Sequence, residues 1–386
     1  MLKDQTFLRI PGPTPIPPSV QQALSRPMSG HRSNETSELF ASLQPGLRKV
    51  FGTTQDVMIL TGSGTSALEA AVVNTVQAAD EVLVIVTGSF GERFAGICEA
   101  YGMIVHRLDV EWGNSFQVED VKEHLKKHPA VKAVFATFCE TSTGVINPIS
   151  LLSNAVNEVS DALTIVDGVS CVGGVETNMD DWGIDILVTG SQKAFMLPPG
   201  LAFIAASDRA WKRIETNPHR GFYLDLINYK KDLKQGSTPF TPAISLLYGL
   251  NEVLKQLDAE GYSQVFARHT LMKEMTRTAF RALNIPLLTN DEDASETVTA
   301  VQPEDFDADV FRKVLKNEFG LSIAGGQGRL KGKILRVGHM GYCSPADMLQ
   351  TLAMMEIGLL KIGKKIELGK GVAAAQQIYL TREGTE

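Results

Sequence analysis

From Asp56 to Ser207 the chain alternates short apolar runs with stretches of helical periodicity. The apolar runs are Val57–Leu60, Val82–Val86, Ile104–Leu108, Ala133–Phe138, Thr164–Val166, Ile186–Thr189 and Ala202–Ala205, rich in Val and Ile. Strands buried on both faces read this way, because neither face needs polar side chains. Helical patterns fill most of the gaps, as in Ser66–Val76, Phe90–Tyr101 and Val118–His128. The alternation predicts an α/β layer built on a mostly parallel central sheet.

After about Leu254 the pattern changes. A long helical stretch, Gly261–Leu283, leads into fewer strands, at Thr297–Val301, Leu321–Ala324 and Ile334–Val337. A last helix is expected to begin near Ser344, with Ser344 as N-cap, Pro345 at the first helical position and Asp347 in the first turn. This second unit reads as a smaller α+β domain. The opening Arg9–Pro18 segment holds five prolines, which fix φ and remove donors, so it reads as an extended arm lying on another surface. The expected division is an arm at 1–20, a large domain at 21–255 and a small domain at 256–386, joined through helix.

Composition narrows the classes. With 386 residues, 44% hydrophobic and 21% charged, the chain has ample material for a large core. A net charge of -7 without basic runs argues against nucleic acid or an anionic membrane as partner. No stretch is apolar enough to span a bilayer, and Met1–Pro18 carries no leader pattern. Cys98, Cys139, Cys171 and Cys343 form no C-x-x-C pair, so no metal site is expected and a reducing, cytoplasmic setting is the default. The final Gly384–Thr385–Glu386 matches no targeting address.

The candidate chemistry lies at strand ends. Ile59–Ala70 runs from strand through Gly62–Ser63–Gly64–Thr65 into a helix. Glycines admit close approach of an anion, and the helix start supplies free N–H groups and a positive dipole end. Alone, this is either a phosphate cup or a plain strand-to-helix turn; it is neither a triphosphatase P-loop nor a G-x-G-x-x-G fingerprint. Asp167 closes one apolar strand, and Lys193 follows the next. In an open α/β sheet the carboxyl ends of strands form the ligand rim. A cup, a carboxylate and a lysine together match the needs of pyridoxal 5'-phosphate: the cup for phosphate, Asp167 for the pyridine nitrogen, Lys193 for the Schiff base and proton transfer.

The chain resembles the class V aminotransferases of PLP fold type I, most closely the alanine–glyoxylate and serine–pyruvate branch. The resemblance rests on Pro11–Gly12–Pro13–Thr14, Gly62–Thr65 with Ala67–Ala70, Ser142–Thr143–Gly144, Val166–Asp167 and Gly183–Ile184–Asp185. It continues through Gly190–Ala194, Pro198–Pro199–Gly200, Thr241–Pro242–Ala243 and Lys333–Gly338. It implies a large domain with a mostly parallel sheet plus a smaller C-terminal α+β domain. It further implies Ser63, Gly64, Thr65 and Gln192 at the phosphate, Phe90 on the ring face, and Thr141 at the phenolic oxygen. Many relatives carry Trp at the Phe90 position. Ser237, Thr238 and Thr241 fall in a loop that in relatives reaches the neighbouring subunit's phosphate, or else simply form a turn. Arg336 matches the arginine that holds the substrate α-carboxylate, a task suited to a planar bidentate donor.

The implied reaction is transamination between alanine or serine and glyoxylate or pyruvate, in a homodimer with shared sites. His31–Arg32–Ser33 resembles a segment of phosphoserine aminotransferases that reaches the partner's substrate pocket, so a different amino donor is the alternative. The cup lacks the arginine those enzymes add there. A cysteine desulfurase is less in keeping, because Ile323–Gly332 carries no cysteine. A nucleotide-binding α/β protein remains the reading outside PLP chemistry; it predicts a colourless protein.

Overall fold

A computed structural model describes residues 6–383; the first five residues of the expected arm and Gly384–Thr385–Glu386 lie outside them. Seven strands build the central sheet: β1 (Val57–Gly62), β2 (Glu81–Val86), β3 (Ile104–Asp109), β4 (Val131–Thr137), β5 (Leu163–Asp167), β6 (Ile186–Gly190) and β7 (Gly200–Ala206). Their order across the sheet is β1-β7-β6-β5-β4-β2-β3. β7 runs antiparallel to both neighbours, and every other pairing is parallel.

The apolar runs are continuous because successive residues serve two cores. Ile59, Leu83, Ile85, Val134 and Val166 point into one layer. Met58, Leu60, Val82, Val84 and Ile165 point into the other. Each fully buried aliphatic side chain contributes roughly 1.5–3 kcal/mol, so both faces are strongly held. β3, one of the two edge strands, is the exception: its residues are partly or fully exposed, in keeping with His106 and Arg107 in an otherwise apolar pattern.

The helices fit the same logic. Gly64–Thr75 starts two residues before the predicted Ser66, inside the glycine turn itself. Ser89–Ala100 and Val118–Lys127 fall within a residue of expectation. Ile244–Glu260 and Tyr262–Ala282 are separate helices meeting at Gly261, whose φ of 84° interrupts a single rod.

A three-stranded antiparallel sheet follows, of β8 (Val298–Val301), β9 (Ala324–Gly325) and β10 (Leu335–Gly338), in the order β8-β10-β9. The expected strand Leu321–Ala324 is split: Leu321–Ser322 instead pairs in parallel with Phe7–Leu8 of the arm. The arm thus forms a separate two-stranded sheet with Leu321–Ser322, and helix begins at Pro18, inside the expected arm. Ser344 caps its helix through a reciprocal capping box with Asp347, but that helix is not the last. Lys370–Glu383 forms a further helix. The Glu356 carboxylate accepts from Gly369 N–H and, at 2.9 Å, from Val372 N–H, which anchors the start of that helix. Among the described residues no helix is long and apolar enough to cross a membrane.

Candidate active site

β1, β5 and β6 are co-directional, so their carboxyl ends open on one rim. Gly62 closes β1, Asp167 closes β5, and Ser191–Gln192–Lys193 follows β6. The central placement of β5 and β6 keeps both charged side chains out of water: Asp167 is 3% exposed and Lys193 7%.

Burial sets the electrostatics. It pushes the Asp167 carboxyl up to about 6, an effect increased by Glu140 and opposed by a Val169 N–H bond and the charges of Lys193 and Arg93. The carboxylate accepts one backbone bond, from Val169 N–H at 2.9 Å, and pairs with no cation among the described residues. Burial lowers the Lys193 ammonium to about 8, with Arg336 and Arg93 adding to the effect and Asp167 opposing it. Lys193 Nζ donates to the Pro11 carbonyl of the arm. Thr14 Oγ1 donates to the Lys193 carbonyl at 2.9 Å and Thr14 N–H to the Gln192 carbonyl at 3.2 Å, so arm and lysine segment are tied at three points.

Lys193 opens on a cavity of about 460 Å³. Gly12, Phe90, Thr141, Gln327 and Arg336 line it as well. Arg336 lies on β10, 5% exposed. Its Nε donates to Gly325 O and one Nη to Thr141 O, each at 2.9 Å. The other Nη makes no hydrogen bond among the described residues. Burial lowers this guanidinium to about 10, still charged at neutral pH. A larger cavity of about 690 Å³ lies behind the arm, but its arginines are engaged, Arg9 with Asp347 and Arg268 with Glu260.

The glycine turn has the features of an anion cradle. A β-carbon at Gly64 would lie 2.9 Å from Val169, and one at Gly190 would lie 3.0 Å from Gln192 Oε1. Ser63 is the N-cap of the Gly64–Thr75 helix, yet its side chain makes no capping bond. Gln192 Oε1 is buried without a partner. Its amide can turn to present either end, so the orphaned atom marks a place built for a missing polar group. Thr65 Oγ1 accepts from Arg93 at 3.3 Å, and the Arg93 guanidinium lies 4.8 Å from the Phe90 ring centre.

Comparison with known proteins follows the same line. Residues 7–340 match the family Aminotransferase class-V. This chain belongs to that family. It is 40% identical to a protein of a Synechococcus strain named soluble hydrogenase, small subunit, over 98% of this chain and 100% of the relative. It is 44% identical to a protein of Methanocaldococcus jannaschii named as an aminotransferase, over 97% of each. It is 37% identical to the serine–glyoxylate aminotransferase of Hyphomicrobium methylovorum, over 98% and 95%. Among solved structures, ureidoglycine–glyoxylate aminotransferase of Bacillus subtilis superposes with a TM-score of 0.92 at 31% identity, over 98% and 99%.

The residues singled out from the sequence of this class V aminotransferase fall into two groups. Lys193, Asp167, Gln192, Thr141, Phe90, Arg336 and the Ser63–Thr65 turn gather around the cavity or the adjoining cradle. His31, Arg32, Ser237, Thr238 and Thr241 line no part of the Lys193 cavity of their own chain; Arg32 and Ser237 meet outside it. There Arg32 donates to Ser237 Oγ at 2.8 Å, Thr238 Oγ1 donates to Phe240 O at 2.7 Å, and Thr241 is exposed.

Sequence reasoning missed Glu140. This fully buried carboxylate accepts from Phe90 N–H and Gly91 N–H at 3.1 Å each, and from Ser142 Oγ at 2.5 Å. It caps the Ser89–Ala100 helix from another element and so fixes the Phe90 backbone. No local pattern signals it, because the helix amides it caps, Phe90 and Gly91, are some fifty residues away. Pro11 and Gly12 carried a family signature without a role; their contact with Lys193 supplies one.

Proposed function

We propose that this chain is a pyridoxal-phosphate-dependent aminotransferase moving an amino group from alanine or serine to glyoxylate or pyruvate. The observation that carries this reading is the joint lining of one cavity by Lys193 and Arg336. A buried amine that titrates near neutrality and a fixed guanidinium with a free Nη suit an amino acid held by its α-carboxylate.

The residues present fit the cofactor. Asp167 is a buried carboxylate with no counter-cation among the described residues, the partner a protonated pyridine nitrogen would want. Ser63, Gly64, Thr65 and Gln192 would hold the phosphate, with the helix start adding its positive end. When bound, pyridoxal phosphate supplies an aldehyde for Lys193 and a ring that draws electrons from the substrate Cα. Phe90, held by Glu140, would cover one face of the ring and exclude water. Thr141 would orient its phenolic side. Lys193 Nζ takes the Cα proton, since a pKa near 8 lets it exchange protons at neutral pH. Arg336 holds the α-carboxylate.

Glyoxylate recurs as acceptor in the names of the Hyphomicrobium and Bacillus relatives, while the donor differs between them. That supports the acceptor more firmly than the donor. The Arg32–Ser237 pair, which lines no part of its own Lys193 cavity, supports a homodimer in which His31, Arg32, Ser237, Thr238 and Thr241 serve the partner's site. Four buried free cysteines are in keeping with a cytoplasmic setting.

The test is spectroscopic and kinetic. The purified protein should be yellow, its visible band should shift on adding alanine or serine, and Lys193→Ala should remove the band. Amino transfer to glyoxylate should fall by ~10²–10⁴-fold or more in that variant. A colourless protein that takes up no added pyridoxal phosphate would sink the proposal.

A further inference from the structure

Three of the seven histidines converge at one edge of the central sheet. His106 lies on the edge strand β3, and Glu81 opens the neighbouring β2. His124 and His128 stand one helical turn apart, in the last turn and at the C-cap of the Val118–Lys127 helix, and so share a face. His106 Nε2 lies 2.7 Å from a Glu81 carboxylate oxygen. The His106 and His128 rings stack with centroids 3.8 Å apart, and His124 follows at 5.4 Å from His128. One ligand atom from each of Glu81, His106 and His128 lies within 4.8 Å of the others, and all three residues are half-buried.

We propose that Glu81, His106 and His128 bind a divalent transition-metal ion of the zinc class, with His124 or water as fourth ligand. Two imidazoles and one carboxylate form a donor set of intermediate softness, suited to Zn²⁺ rather than to Mg²⁺ or Ca²⁺. Ligand atoms at about 2.0–2.1 Å from a tetrahedral zinc are roughly 3.3 Å apart, so small side-chain rotations complete the site. Cysteine spacing gave no sign of such a site; only the fold brings these residues together.

The ion has no part in transamination. β3 is four strand spacings from β6, about 19 Å across the sheet. The cluster also stands toward the amino ends of β2 and β3, away from the carboxyl rim that carries Lys193. The ion would instead clip the edge strand to the Val118–Lys127 helix, where β3 lacks a neighbour on one side.

The test uses the cofactor-loaded full chain after dialysis against a chelator. Zinc chloride is titrated by calorimetry into the native protein, His106→Gln, His128→Gln and the double variant. The native chain should bind one equivalent, at least about 100-fold more tightly than the double variant. Zinc at about 100 times its dissociation constant should raise the native Tm by about 3 °C and leave the double variant unmoved. Cobalt should give a visible absorption of four-coordinate type in the native chain alone. Unaltered circular dichroism and cofactor absorption in the variants establish that they fold. Absence of stoichiometric binding to the native chain, or equal binding by the double variant, would overturn the proposal.

Discussion

Gly12 of the arm packs directly on the stem of Lys193. A β-carbon at Gly12 would stand 2.5 Å from Lys193 Cδ and 2.9 Å from Cε, and the residue has a φ of +103°. Both features exclude a side chain. Gly12→Ala should therefore push the lysine stem aside and strain the backbone, costing about 1–3 kcal/mol. The expected result is a fall in kcat of roughly tenfold to hundredfold with unchanged far-ultraviolet circular dichroism. A kcat within about twofold of the native value would mean that the arm yields freely.

The buried pair Asp167 and Lys193 should leave opposite marks on the pH dependence of the cofactor-free protein. The Asp167 carboxyl rises from 3.8 to about 6 on folding. Between those values the folded chain holds a proton that the unfolded chain has released. Stability should fall as pH rises through that window, by about 2–3 kcal/mol. Lys193 drops from 10.5 to about 8, so between these values the unfolded chain holds the extra proton and stability should rise with pH. Urea midpoints across both windows read these slopes. Asp167→Asn should flatten the acidic one while abolishing transamination; a slope unchanged in that variant would assign it elsewhere.

Arg336 is held by two backbone carbonyls and offers one further Nη. Lysine has a single donor head and cannot keep those bonds while reaching a carboxylate. Arg336→Lys should raise the KM for the amino donor by ~10–100-fold, with a smaller change in kcat. Loss of kcat alone would move this residue from substrate binding to the chemical step.

Arg32 binds Ser237 of its own chain, away from its own Lys193 cavity. If two subunits share sites, coexpressed Arg32→Ala and Lys193→Ala chains should regain activity, because the mixed dimer contains one site with both residues intact. Random pairing gives about a quarter of the native rate. Activity no greater than that of the two parents combined would rule out sharing.

Local sequence carried the strands, because a strand buried on both faces must be apolar at every position. It also carried Asp167 and Lys193 as candidates, since each directly follows such a run, and the glycine turn ahead of the Gly64–Thr75 helix. Arg336 was legible only through family likeness; nothing in Leu335–Gly338 distinguishes it from a surface strand arginine. Tertiary structure decided the rest. It brought Glu140 under the Phe90 amide, Gly12 onto the Lys193 stem, and Leu321–Ser322 to the arm rather than into a longer strand. It also gathered His106, His124 and His128 at one sheet edge. Each of these depends on contacts between segments far apart in the chain, and periodicity reports only what neighbouring residues share. For Lys193 the chain alone placed an amine at a strand end. Burial in the folded chain, beside the fixed charge of Arg336, is what lowers that amine to about 8 and brings its proton exchange close to neutral pH.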